Sequence, residues 1–150
     1  MGLPAGSTMP EFSLKDQDGI WFHSGEHVGK KPLVIFFYPK DFTPGCTAEA
    51  CSFRDHYEDF TDAGALVIGI SSDSQVSHHS FALKHRLPYV LLSDTRKEVR
   101  RKFRVANRML NLLPGRETFV VDRSGKIVMS FDGVRASGHV SSALRALEKV

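Results

Sequence analysis

Two short apolar runs, separated by a segment with helical periodicity, constrain the fold of this chain most. They span residues 32–38 and 65–70, and apolar runs of this length are typical of strands buried on both faces of a sheet. Between them, residues 44–62 repeat apolar side chains every three or four positions and stop before Gly64, which predicts a helix. A strand, a helix and a second strand in this order predict a right-handed crossover in an α/β sheet.

The rest of the chain adds elements of both kinds. A turn-rich segment predicts an N-terminal β-hairpin from residues 11–14 and 20–22. Further helices are predicted at residues 75–85, 95–103 and 140–147, and further strands at residues 89–92, 117–121 and 127–131. This order predicts an α/β fold with a central mixed β-sheet and is compatible with a thioredoxin-like fold. No repeat or linker divides the chain, so residues 1–150 are predicted to form a single domain.

The composition points to an ordinary globular protein, since 41% of the residues are hydrophobic and 25% are charged. No apolar stretch has the length of a membrane helix, so we expect no membrane partner. The amino terminus has neither the basic start nor the apolar stretch of a secretory signal. We therefore expect a cytoplasmic protein, or alternatively a protein of an organelle such as the plastid, if a transit peptide has been removed.

One dense basic cluster interrupts an otherwise interspersed charge pattern, and it contains Arg96, Lys97, Arg100, Arg101, Lys102 and Arg104. Val99 and Phe103 lie four residues apart within it, which predicts an amphipathic helix with a solvent-facing basic side. A basic patch without aromatic or groove-reading partners is a weak indication of nucleic-acid binding. We expect no nucleic-acid partner.

The two cysteines carry the strongest chemical signal. In a reducing compartment, a close cysteine pair points to redox catalysis or metal binding rather than to a structural disulfide. Cys46 follows a predicted buried strand and lies in the first turn of a helix, with Thr43 placed to cap it and Pro44 at its first position. The free N–H groups and partial positive charge of a helix start favour a reactive thiolate. A small buried apolar role for Cys46 is the alternative.

The spacing of the cysteines limits how they can pair. On an ideal helix, residues five apart have Cα atoms about 8–9 Å from each other, with side chains on different faces. A disulfide needs Cα atoms within about 7 Å. Cys46 and Cys51 therefore either never pair or pair only when the helix start unwinds. Zinc sites use closer spacings and further ligands, so no metal is expected.

The segment around these cysteines resembles the peroxiredoxins. Pro39, Thr43 and Cys46 match every fixed position of the family signature, in which a proline, a threonine or serine and the peroxidatic cysteine are separated by three and two residues. A second cysteine five residues on, within residues 46–55, resembles the Q-type or bacterioferritin-comigratory-protein group. Residues 91–94 and 114–122 also look like family segments, and the likeness runs from about Met9 to the end.

The resemblance implies a thioredoxin-like three-layer fold, with helices flanking the sheet, and a role for five residues. Cys46 would attack the peroxide and become a sulfenic acid, and Cys51 would condense with it to a disulfide. Arg116 would lower the pKa of the Cys46 thiol and polarise the peroxide. Thr43 would hydrogen-bond the substrate, and Pro39 would shield the sulfenic acid from water.

The implied activity is reduction of hydrogen peroxide and organic hydroperoxides, with thioredoxin or a similar dithiol as reductant. It needs no cofactor, and a monomer is competent because both thiols lie in one chain. A thiol-disulfide oxidoreductase is less favoured, because no Cys-x-x-Cys motif is present. A redox-sensing switch without rapid turnover would use the same two cysteines and stays as the alternative.

Several other residues receive plainer interpretations. Glu49 is interpreted as a solvent-facing glutamate of the first helical turn, the alternative being that it orients Arg116 or Arg54. Arg54 and Asp55 are expected on the helix surface. The histidines show no ligand spacing and are expected at the surface or at caps. Arg104 stands where the family often has glycine, so the loop shape at residues 105–113, near the expected peroxide entrance, is left open.

Overall fold

The structure is a computed structural model that describes residues 2–105, 107–108, 113–114, 116–133 and 135–150. The strands in these residues are β1 (Ser13–Lys15), β2 (Trp21–His23), β3 (Leu33–Phe37), β4 (Leu66–Ser71), β5 (Val90–Ser93), β6 (Asn107–Arg108), β7 (Leu113–Pro114), β8 (Glu117–Val121) and β9 (Ile127–Asp132). The helices are α1 (Pro44–Asp55), α2 (Tyr57–Asp62), α3 (Gln75–His85), α4 (Glu98–Lys102) and α5 (Ala136–Leu147). None of the helices described is long and apolar enough to cross a membrane.

A five-stranded mixed sheet in the order β5-β4-β3-β8-β9 forms the centre of the fold. The first three strands run parallel, whereas β8 pairs antiparallel with both β3 and β9. Strands β1 and β2 form a separate antiparallel hairpin. The predicted mixed sheet and N-terminal hairpin are therefore confirmed. The short antiparallel pair of β6 and β7 was not predicted.

The apolar run of β3 is explained by burial on both faces of the sheet, because all five of its residues are buried. Val34 and Phe36 pack on the side of α1, α3 and α5, where the rings of Phe36 and Phe53 stack at 4.4 Å. Leu33, Ile35 and Phe37 pack on the opposite side, in a second cluster. Burial of each such side chain stabilises the folded state by roughly 1.5–3 kcal/mol. The strand that leads to Cys46 is thus held rigidly in the core.

The long helix predicted at residues 44–62 is divided in two. His56 leaves the helical conformation, with φ −106° and ψ 12°, so α1 ends before it and α2 begins after it. The apolar spacing of Phe53, Tyr57 and Phe60 continues across the break, which is why the sequence pattern predicts one helix. The break leaves α1 as a helix of three turns that carries both cysteines.

The basic segment also differs from its prediction. Helix α4 begins at Glu98, because the carboxylate of Asp94 accepts hydrogen bonds from the backbone N–H groups of Val99 and Arg100. Arg100 is buried rather than solvent-facing, in the electrostatic reach of Asp94 and Glu117. Arg104 adopts φ +56°, a conformation that favours glycine. Of the loop at 105–113, residues 106 and 109–112 lie outside those described.

Candidate active site

The loop between β3 and α1 places Cys46 at the carboxyl edge of the sheet. Thr43 occupies the position before the helix, with φ −78° and ψ 150°, and Pro44 is the first helical residue, as predicted. The Thr43 hydroxyl makes no capping hydrogen bond, which corrects that expectation, and donates instead to the carbonyl oxygen of Lys40 at 2.8 Å. Pro39 is half-buried at the start of the same loop.

Arg116 reaches Cys46 from the residue before β8. Its Nη2 lies 3.4 Å from the Sγ of Cys46, which is only 1% exposed. Its Nη1 donates a hydrogen bond of 2.8 Å to the carbonyl oxygen of Gly45. A Cβ atom at Gly45 would lie 3.0 Å from Nη2, so glycine permits this close approach. The structure thus places the predicted cation beside the predicted thiol.

The protonation of Cys46 departs from the sequence-based expectation. Burial raises the pKa of the Cys46 thiol above its ordinary value, and the charge of Glu49 acts in the same direction. Hydrogen bonds from the Thr43 side chain and the Lys40 backbone, together with the charge of Arg116, lower that pKa but do not outweigh burial. The position at a helix start therefore does not by itself make this thiol acidic.

Glu49 is fully buried, so the interpretation as a solvent-facing residue was wrong. Its Oε1 lies 3.6 Å from Nη1 of Arg116, and neither carboxyl oxygen makes a hydrogen bond within the described residues. Burial raises the pKa of Glu49 to about 8, although Arg116 opposes this shift. The three-residue spacing of Cys46 and Glu49 could have indicated that Glu49 is buried, because residues three apart share a helix face and Cys46 faces the core.

Cys51 is half-buried in the middle of α1, and both cysteines are free thiols. Because α1 is continuous from Pro44 to Asp55, the two thiols are held on different faces of one helix. Near Cys51, Asp55 is exposed as expected, whereas Arg54 is half-buried, and the two residues form an ion pair with each other at 2.9 Å. Pairing of the two cysteines therefore requires a rearrangement of α1.

A buried polar cluster braces the loop that carries Thr43. The Tyr38 hydroxyl donates to Oδ1 of Asp41 at 2.6 Å, and Nδ1 of His78 lies 2.7 Å from Oδ2. Asp41, Asp73 and His78 bring ligand-type atoms within 4.8 Å of one another, but hydrogen bonds engage all three. His78 and His139 are fully buried, so the surface expectation was wrong for these two histidines. His78 is three residues before the buried Phe81, which indicates the buried face of α3.

The chain matches known protein families and relatives over most of its length. Residues 5–130 match the model of the AhpC/TSA family. The chloroplastic peroxiredoxin Q of Gentiana triflora is 47% identical over 144 residues, which cover 95% of this chain and 66% of that protein. The chloroplastic peroxiredoxin Q of Sedum lineare is 45% identical over 146 residues, which cover 97% of this chain and 78% of that protein.

Solved structures agree with these relatives. Peroxidoxin BcpB from Mycobacterium tuberculosis superposes with a TM-score of 0.91 at 35% identity, covering 99% of this chain and 98% of that one. The bacterioferritin comigratory protein of Xanthomonas campestris superposes with a TM-score of 0.88 at 32% identity, covering 97% and 98%. With its two free thiols and its thioredoxin-type fold, the chain therefore belongs to the AhpC/TSA family, as a peroxiredoxin of the Q type and a thiol-dependent peroxidase.

Proposed function

We propose that Cys46 is the thiol that reduces the peroxide and that Arg116 is its electrostatic partner. The observation that carries this proposal is the 3.4 Å separation between Nη2 of Arg116 and the Sγ of Cys46. The thiolate attacks one peroxide oxygen, the O–O bond breaks, and Cys46 becomes a sulfenic acid. The leaving oxygen takes the electron pair and a proton and departs as water or an alcohol. Arg116 stabilises the negative charge that develops on that oxygen.

Thr43 and Pro39 complete the proposed site. The Thr43 hydroxyl, which in the resting protein donates to Lys40, is placed to hydrogen-bond the substrate or the sulfur. Pro39 carries no N–H group and limits the access of water from its side of the loop. Phe42, which is 47% exposed and adopts φ +66°, presents an apolar ring next to Thr43. This ring supports organic hydroperoxides as substrates besides hydrogen peroxide, and the Xanthomonas relative is described by its alkyl peroxide reduction activity.

Cys51 is the proposed resolving thiol. It condenses with the Cys46 sulfenic acid, which releases water and leaves an intramolecular disulfide. Because both thiols lie on α1, the start of this helix unwinds for the bond to form. Thioredoxin or a similar dithiol then reduces the disulfide. A monomer suffices for this cycle, with no nucleic-acid or membrane partner.

Thiol counting tests this cycle directly. One equivalent of hydrogen peroxide added to the reduced protein should remove two thiols per chain, and the product should stay monomeric. A dithiol should then restore both thiols. Thiols that persist for minutes after peroxide addition would show that Cys46 is inert.

A redox-sensing switch is the alternative, and the raised pKa of Cys46 favours it, because a thiol that is mostly protonated reacts slowly. Steady-state peroxide consumption in the presence of thioredoxin separates the two functions. Sustained turnover supports the peroxidase, whereas a single slow oxidation supports the switch. For the compartment, the names of the chloroplastic relatives favour the plastid alternative over the cytoplasm.

A further inference from the structure

The buried hydroxyl of Tyr89 holds the middle of α1. Tyr89 lies directly before β5, is 4% exposed, and donates a hydrogen bond of 2.6 Å to the carbonyl oxygen of Ala50. Its ring packs edge-on against Phe36 with 5.7 Å between the ring centroids, and Nε2 of Gln17 donates to its carbonyl oxygen at 3.2 Å. The proposed peroxide chemistry gives no role to this hydroxyl, although Ala50 is the residue before Cys51.

Two further contacts fasten the same half of α1 to the rest of the fold. Nη1 of Arg54 donates a hydrogen bond of 2.8 Å to the carbonyl oxygen of His85, the last residue of α3. Phe53 is fully buried, and its ring stacks on that of Phe36 in β3. Residues 50–55 are thus attached to β3, to α3 and to the segment before β5.

The other half of α1, residues 44–49, is attached less firmly. No side chain caps its start, where Thr43 makes no capping hydrogen bond. Arg116 donates to the carbonyl oxygen of Gly45, but this hydrogen bond is exposed to solvent, where water can replace it. Glu49 is buried without a hydrogen bond, which costs free energy that is recovered when this half unwinds.

We propose that Tyr89 is a positioning residue for Cys51 in disulfide formation. Helix α1 unwinds over residues 44–49, while the hydrogen bond from Tyr89 keeps residues 50–55 helical. Isolated helices need about 12–15 residues to be stable, so this remnant depends on its anchors. Cys46 therefore moves toward a stationary Cys51, whose thiol has a high effective concentration at the sulfenic acid. The S–S bond forms as the sulfenic hydroxyl leaves with the thiol proton as water.

This inference rests on the proposed resolving role of Cys51, but its first test needs no peroxide. An oxidised dithiol converts the reduced protein to the disulfide form by exchange. Tyr89→Phe keeps the ring against Phe36 and removes the hydroxyl alone. Because the hydrogen bond to Ala50 persists in both redox forms, we expect the free energy of unfolding, measured with urea, to fall equally in both.

The control is Tyr57→Phe, because the Tyr57 ring lies 6.2 Å from that of Tyr89 and its hydroxyl has no hydrogen bond among the described residues. It should leave both redox forms unchanged. A loss confined to the reduced form of Tyr89→Phe, or no loss in either form, would overturn the positioning role of Tyr89 alone. A chain that forms no disulfide between Cys46 and Cys51 would overturn the proposed cycle as well.

Amide hydrogen exchange in the disulfide form locates the end of the unwound segment. In a helix the N–H of Arg54 bonds to the carbonyl oxygen of Ala50, and the N–H of Glu49 bonds to that of Gly45. We expect the Arg54 amide to stay protected and the Glu49 amide to exchange rapidly. Rapid exchange at both amides would contradict the proposal.

The kinetics of the native reaction give a readout that a merely structural role would not move. Stopped-flow measurement of thiol loss separates oxidation of Cys46 from its condensation with Cys51. Tyr89→Phe should slow condensation several-fold relative to oxidation, since a loosened Cys51 samples more conformations, and excess peroxide should then leave more Cys46 as sulfinic acid. Tyr57→Phe should keep the native ratio of the two rate constants. The native ratio in Tyr89→Phe as well would overturn the proposal, whereas failure of the peroxidase cycle would appear as absent peroxide consumption in the native protein.

Discussion

Arg116 and Cys46 stand 70 residues apart in the chain, yet Nη2 of the arginine lies 3.4 Å from the sulfur. The antiparallel pairing of β3 with β8, which sets Phe37 opposite Glu117, brings the two segments together. The hydrogen bond from Nη1 to the carbonyl oxygen of Gly45 then orients the guanidinium. The cation is therefore in place before any substrate binds, and it costs little reorganisation during the reaction.

Arg116→Ala should slow oxidation of Cys46 by peroxide about 10²–10³-fold, the usual effect of losing an aimed donor. The second-order rate constant from a stopped-flow peroxide assay measures this loss. Arg123→Ala is the matched control, because Arg123 is an exposed arginine in the turn between β8 and β9. A similar loss of rate in both variants would assign the effect to net charge rather than to the position of Arg116.

The two cysteines should respond differently to the same change. Cys46→Ser should abolish peroxide reduction, whereas Cys51→Ser should still reduce one equivalent and then stop as a sulfenic acid, because the resolving thiol is absent. Peroxide consumed per chain, measured without and with thioredoxin, distinguishes the two outcomes. Multiple turnovers that persist equally in both variants would contradict the cycle.

The contribution of the buried hydrogen bond between Tyr38 and Asp41 to stability can be tested by removing one hydroxyl. Tyr38→Phe removes the donor to Oδ1 of Asp41 and leaves that oxygen buried without its partner, which should lower the free energy of unfolding by about 1–3 kcal/mol. Urea denaturation measures the change. Tyr57→Phe is the control, because Tyr57 is half-buried and its hydroxyl has no hydrogen bond among the described residues. Equal destabilisation by both substitutions would show that the hydrogen bond between Tyr38 and Asp41 adds nothing specific to the free energy of unfolding.

Elements with strong local signals could be predicted from the sequence residue by residue. Helix α3 matches its predicted range, since the side chain of Ser74 caps its start and Arg86 ends it in a left-handed conformation. Strand β8 matches as well, because burial on both faces leaves an unbroken run of strand-forming residues. Around the site, the signature of Pro39, Thr43 and Cys46 indicated the loop between β3 and α1.

The electrostatic surroundings of the site could not be predicted in the same way. Glu49 and His139 belong to residue types that are usually exposed, and the partners that compensate their burial are distant in the chain. The pKa of Cys46 likewise depends on how deeply the thiol is buried, which local sequence does not report. Local patterns thus identified the reacting groups but not the groups that set their charge.

Stability should report the burial of Glu49 through its dependence on pH. The folded chain retains the Glu49 proton up to about pH 8, whereas the unfolded carboxyl loses it near its ordinary pKa of 4.5. Between these values the folded state binds more protons, so the contribution of Glu49 to the free energy of unfolding falls as pH rises, by a few kcal/mol in order of magnitude. The Glu49→Gln variant has no ionisable group at this position, so its free energy of unfolding should lack this decline with pH. Urea midpoints at a series of pH values, measured in a Cys46→Ser background to prevent oxidation, should therefore show the two proteins diverging; parallel curves would mean that Glu49 is already ionised in the folded protein.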